Sequence, residues 1–155
     1  DNYWDITFLG GQKQIKSSLL IHGDCNIHSN IFITATRHIA MNNGGVLKIF
    51  TGGSLTKTTG SGSIEFMDGF TYGLIVEDVV SGLSWDFIKL NDDVIVNASG
   101  MGKILLEDDL SFDGNNSTFN NNFNGNFTIG RDVWFGVGTL SNTFVIFLNC
   151  VFFVA

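Results

Sequence analysis

The chain has 155 residues, with 19 Gly, 15 Phe, no Pro, 15% charged residues and a formal net charge of −7. An apolar fraction of 44% is too high for a disordered chain, and the acidic balance argues against a phosphate-binding surface for nucleic acid. The size suits one domain, here 1–155 as a single repeat-built unit, and two cysteines cannot form a dense disulfide scaffold.

One pattern recurs from end to end: apolar-x-apolar, a short polar or small corner, then apolar-x-apolar again. Ile6-Thr7-Phe8 begins a degraded copy. Leu19-Leu20-Ile21 with Cys25-Asn26-Ile27, and Ile31-Phe32-Ile33 with Arg37-His38-Ile39, follow as weaker copies. Leu47-Lys48-Ile49 with Gly53-Ser54-Leu55 is clearer, as is Ile64-Glu65-Phe66 with Phe70-Thr71-Tyr72. Then come Ile88-Lys89-Leu90 with Val94-Ile95-Val96, and Ile104-Leu105-Leu106 with Leu110-Ser111-Phe112. Phe127-Thr128-Ile129 with Val133-Trp134-Phe135, and Val145-Ile146-Phe147 with Val151-Phe152-Phe153, close the series. A period of two means strands with one buried face. Gly, Asn and Asp supply the corners because they tolerate left-handed backbone or bond their own main chain.

These features predict an all-β fold. A β-solenoid (parallel β-helix) of about eight irregular coils fits best, because the corner length is constant while the linking segments vary. The alternative is an antiparallel β-sandwich or jelly roll, in which turn type would set the register. Gly114 to Asn126 reads equally as an Asn-laddered coil or as an unstructured loop. Trp85-Asp86-Phe87, then Val96-Asn97, then Gly100-Met101-Gly102-Lys103-Ile104-Leu105, resembles the repeats of large bacterial surface β-helix proteins. Among these are the filamentous-haemagglutinin-like adhesins and the polymorphic outer-membrane passengers of intracellular bacteria. The resemblance implies a parallel β-helix on an outer surface, without catalysis.

Asp68, Asp92, Asp93, Asp108, Asp109 and Asp132 occupy the corners of successive units. Stacked coils would set them in a column, where like charges repel unless a cation such as Ca²⁺ lies between them. The competing reading is that each Asp makes its own turn, and no other cofactor is expected. His22, His28 and His38 differ in their place within the repeat and do not form a metal set. Cys25 and Cys150 fall too far apart along a solenoid for an intramolecular bridge. Trp4, Trp85, Trp134, Tyr3 and Tyr72 are candidates for a carbohydrate groove or for subunit contacts. Nucleophile elbows, phosphate loops and zinc-helix signatures are lacking, so catalysis is not expected. A polysaccharide-degrading β-helix using paired corner carboxylates is the weakest of the readings.

The start of the sequence has no initiator Met, basic segment or apolar signal stretch, which reads as a processed chain, a fragment, or a subunit of a longer fibre. No stretch is long and apolar enough for a membrane span. Trp4 at the start, and Phe144, Val145, Phe147, Val151 and Phe153 at the end, form apolar termini that ask for a partner. The functional expectation is a secreted or cell-surface structural filament. Its subunits associate with copies of themselves, head to tail or by strand donation, with host glycans as alternative partners for an adhesin.

Overall fold

The computed structural model describes residues 1–135, 143–146 and 151–154. The strands are short and come in threes. The first coil contains β1 (Asn2–Tyr3), β2 (Ile6–Phe8) and β3 (Lys13–Ile15). The second has β4 (Leu19–Ile21), β5 (Cys25–Ile27) and β6 (Asn30–Ile33). The third has β7 (Ile39–Met41), β8 (Val46–Ile49) and β9 (Ser54–Lys57), and the fourth β10 (Ser63–Phe66), β11 (Thr71–Val76) and β12 (Gly82–Trp85). The fifth has β13 (Phe87–Leu90), β14 (Ile95–Gly100) and β15 (Lys103–Leu106), and the sixth β16 (Leu110–Phe112), β17 (Thr118–Phe123) and β18 (Asn126–Ile129). The seventh has β19 (Val133–Phe135), β20 (Thr143–Ile146) and β21 (Val151–Val154).

Each coil gives one strand to each of three seven-stranded sheets, so each sheet makes about six turns from first strand to last. Every pairing is parallel. The fold is therefore a triangular β-solenoid, and the antiparallel sandwich is excluded. The expected count of about eight coils is corrected. The sequence unit spans two strands across one corner, whereas a coil takes three. β1, β3, β12 and β17 escape the two-strand pattern altogether.

Alternation drives the geometry. In most strands the burial pattern is buried–intermediate–buried, so two side chains per strand enter the core. Like positions then stack as columns. One runs Leu19, Ile39, Ile64, Ile88, Leu110, Val133 through the first sheet. Another runs Ile27, Ile49, Val76, Gly100, Phe123 through the second. Burial of each such aliphatic side chain contributes roughly 1.5–3 kcal/mol. The tract from Gly114 to Asn126 is ordered coil: Phe119 and Phe123 are fully buried, and the Asn120 Nδ2 donates to Asn97 Oδ1 at 2.9 Å. The tract is therefore a coil and not an unstructured loop, but the Asn97–Asn120 pair lies on the outer face, so the ladder expected within buried coils is not what this pair forms.

Turning from the first sheet to the second uses left-handed backbone at the same corner of four successive coils: Asn43 (φ 60°) with Gly44 (φ 77°), Gly69 (φ 79°), Asp93 (φ 56°) and Asn116 (φ 57°). These are the residue types that reach that region at least cost. At Gly100 (φ 122°) a Cβ would lie 1.9 Å from the Val76 carbonyl oxygen of the coil below. Gly100→Ala is accordingly expected to lower stability by about 2 kcal/mol or more, read as a fall in the urea midpoint.

Candidate functional site

The six aspartates do not form one column. Asp68, Asp92 and Asp93 lie at the corner between the first and second sheets, whereas Asp108, Asp109 and Asp132 lie at the corner between the third and first. At both corners the carboxylates serve the stacking itself. Asp92 N–H donates to Asp68 Oδ1 at 3.3 Å, and Asn115 N–H donates to Asp92 Oδ1 at 2.6 Å. Asn116 Nδ2 donates to Asp93 Oδ1 at 3.0 Å, and Asp132 N–H to Asp109 Oδ1 at 3.0 Å. The same device begins earlier, with Asp24 N–H on Asp5 Oδ1 at 2.7 Å and Val46 N–H on Asp24 Oδ1 at 2.8 Å. A side-chain oxygen of one coil thus satisfies a main-chain donor of the next, where the ladder is interrupted by the corner.

The like charges at the third-to-first corner meet a cation supplied by the chain. Arg131 Nη1 donates to Asp108 Oδ1 at 3.1 Å and Arg131 Nε lies 3.8 Å from Asp109 Oδ1. The hydrogen bond Arg131 donates to Asp108, then the charges of both aspartates, hold the guanidinium above its ordinary pKa. Among the described residues no three His, Cys, Asp or Glu side chains converge as a metal set. His22, His28 and His38 fall at three different corners.

Two aromatics offered for a carbohydrate surface are core residues. Trp85 ends β12 and is fully buried; Tyr72 is 1% exposed, with its hydroxyl donating to the Met67 carbonyl at 2.8 Å. Burial pushes the Tyr72 phenol up to about 12. Trp4 and Trp134 do face solvent, at 74% and 45% exposure. Trp134 borders a shallow groove of about 380 Å³ on the outer face of the first sheet, with Phe87, Lys89, Asp109 and Arg131. Cys25 is a buried free thiol, pushed up to about 12 first by desolvation and then by Asp24; Cys150 lies outside the described residues.

Trp4 sits at the first corner of the first coil. Beside it Tyr3 is 37% and Leu9 61% exposed, and Ile6 and Phe8 are only partly buried. β1, β2 and β3 pair on one side only, with β4, β5 and β6. At the other end, Phe144 and Val145 are register partners of Phe119 and Asn120, and Val151 and Phe153 of Asn126 and Thr128. They therefore belong to the last described rung. Phe147 lies outside the described residues.

One polar group was missed from the sequence. Lys57 is the register partner of Ile33 in a column that otherwise points inward, and its side chain is 9% exposed. Its Nζ donates to Asp86 Oδ1, and to Glu107 Oε2 at 2.8 Å. Asp86, with a side chain 4% exposed, also accepts the Gly62 N–H on Oδ2 at 2.6 Å. Burial works against the Lys57 charge, but the hydrogen bonds and charges of Asp86 and Glu107 outweigh it and hold the ammonium above its ordinary pKa. Only the position of a lysine in an apolar column signals this cluster, and that needs the three-strand register to be seen.

Comparison with protein-family models, with curated proteins and with solved structures finds no match. Among the described residues no helix is long and apolar enough to cross a membrane.

The corner geometry gives a direct expectation. Asp92→Ala strips the acceptor from Asn115 N–H and costs about 1 kcal/mol, while Asp92→Asn keeps an oxygen there and costs much less. Paired denaturation curves of the two variants measure the difference.

Proposed function

We propose that the chain is a structural, non-catalytic segment of a secreted or cell-surface fibre, in which one solenoid continues end to end into another. The observation that carries this reading is the like-on-like parallel stacking itself, which any further coil can extend. Within the described residues β1, β2 and β3 pair on one side, with the second coil, and Tyr3, Trp4 and Leu9 beside them are exposed. Unpaired strand edges and exposed apolar side chains favour a further rung, whether the same polypeptide or a second copy provides it. A copy docking by its opposite end makes a head-to-tail contact that does not close, which yields a filament. β20 and β21, the last described strands of their sheets, offer the complementary edge. The resemblance read from the sequence to bacterial surface β-helix repeats favours the same kind of object.

Negative-stain microscopy of the purified chain at rising concentration tests this. Rods longer than the roughly 30 Å of seven rungs at strand spacing are expected, and Trp4→Asp is expected to shorten them. Single solenoids at every concentration would contradict end-to-end assembly.

A second reading, a carbohydrate-binding adhesin, draws on the groove beside Trp134. An exposed indole flanked by Arg131 and Asp109 pairs an apolar stacking face with charged hydrogen-bonding groups. On this reading the folded protein gives hits on a glycan array that Trp134→Ala abolishes; an array without hits removes it.

A further inference from the structure

The buried Lys57 cluster has more polar equipment than an ion pair requires. Charged groups in a core are commonly no better than well-packed apolar ones of the same volume, because desolvation offsets their attraction. Here the column places an amine, a carboxyl and a second carboxyl at the same corner of three successive coils: Lys57 ends β9, Asp86 joins β12 to β13, and Glu107 follows β15.

We propose that Lys57 and Asp86 are condensed into an intramolecular isopeptide bond, with Glu107 as the proton carrier. Lys57 Nζ is in contact with Asp86 Oδ1, so nucleophile and carboxyl carbon are held in near-attack range. The Gly62 N–H on Asp86 Oδ2 at 2.6 Å is placed to stabilise the oxyanion that addition creates. Glu107 Oε2, 2.8 Å from Nζ, takes a proton from the amine, and its side chain is 46% exposed, which leaves a path for the departing water.

The step balances without any co-reactant. The Lys57 ammonium passes one proton directly to Asp86 Oδ1, to which its Nζ already donates, and the freed nitrogen lone pair attacks Asp86 Cγ. Glu107 takes a second proton from the nitrogen and releases it to the Oδ1 hydroxyl as the Cγ–Oδ1 bond breaks, so that Oδ1 leaves as water. One C–N bond has formed, and one ammonium and one carboxylate have become an amide and a water molecule. Closely held partners offset the entropic cost that makes such condensation unfavourable between free molecules, and burial shields the amide from hydrolysis. The bond would tie the third coil to the fourth at the corner between the third and first sheets, beside the five-residue link 58–62. It stands whether or not the solenoid forms fibres.

Mass spectrometry tests it on the purified chain. The denatured protein should weigh one water less than its sequence, and a tryptic digest should contain a branched peptide joining Lys57 to Asp86. Lys57→Arg keeps the positive charge but forms no such amide, and should return to its full sequence mass, as should Glu107→Gln. A wild-type chain at full mass, with Lys57 and Asp86 in separate linear peptides, would overturn the proposal. So would a water loss that persists in Lys57→Arg. Undiminished cross-linking in Glu107→Gln would overturn the role given to Glu107.

Discussion

Parallel, in-register stacking of like on like is the constraint from which the rest of this structure follows. A parallel ladder repeats its hydrogen-bond geometry at every rung, so each residue meets its counterpart from the coil below and the coil above. Apolar columns such as Leu19–Ile39–Ile64–Ile88–Leu110 are one result. The recurrence of left-handed residues at one corner, Asn43, Gly69, Asp93 and Asn116, is another. Where the main chains come closest only glycine fits: a Cβ on Gly125 would lie 2.0 Å from the Gly102 carbonyl oxygen, and one on Gly45 would lie 1.8 Å from that of Gly23.

The same constraint governs charge. A net charge of −7 on stacked coils should set carboxylate upon carboxylate. The chain limits this by dividing Asp68, Asp92 and Asp93 from Asp108, Asp109 and Asp132 over two corners, by pointing carboxylate oxygens at main-chain N–H groups of the adjoining coil, and by placing Arg131 against Asp108 and Asp109. Lys48 meets Glu77 at 3.2 Å in a similar way on the outer face, and the Thr51 main-chain N–H, more than any other contact, holds the Glu77 carboxyl below its ordinary range. Lys57, its side chain largely withdrawn from solvent, is held between two carboxylates, Asp86 and Glu107.

The class of fold was legible because apolar-x-apolar alternation is imposed directly by the pleat. Ile64-Glu65-Phe66 and Ile88-Lys89-Leu90 declare which face is inward without any tertiary information. The coil count was not legible, for two local reasons. β12 and β13 are separated by the single residue Asp86, so Leu83-Ser84-Trp85 merges with the strand that follows. β17 carries Asn121, fully buried, in a core column, and an Asn in a run of Asn reads as loop. Trp85 was misjudged as surface for the same reason: its strand was not seen. Whether a corner Asp faces a cation or a main-chain donor depends on which coil lies above it, and register offsets vary too much between coils for spacing alone to tell.

The most direct test of this account is register-specific cross-linking across neighbouring coils. Ile75 and Ser99 are Cα partners on the outer face of the second sheet, and Asn97 is offset from Ser99 by one outward position. Parallel neighbours sit about 4.8 Å apart, within disulfide reach, and the offset pair does not. Oxidation of Ile75→Cys/Ser99→Cys followed by peptide mapping should show one intramolecular bridge between those two positions, and Ile75→Cys/Asn97→Cys should show none. Equal bridging in both variants, or in neither, would contradict the stacked parallel register.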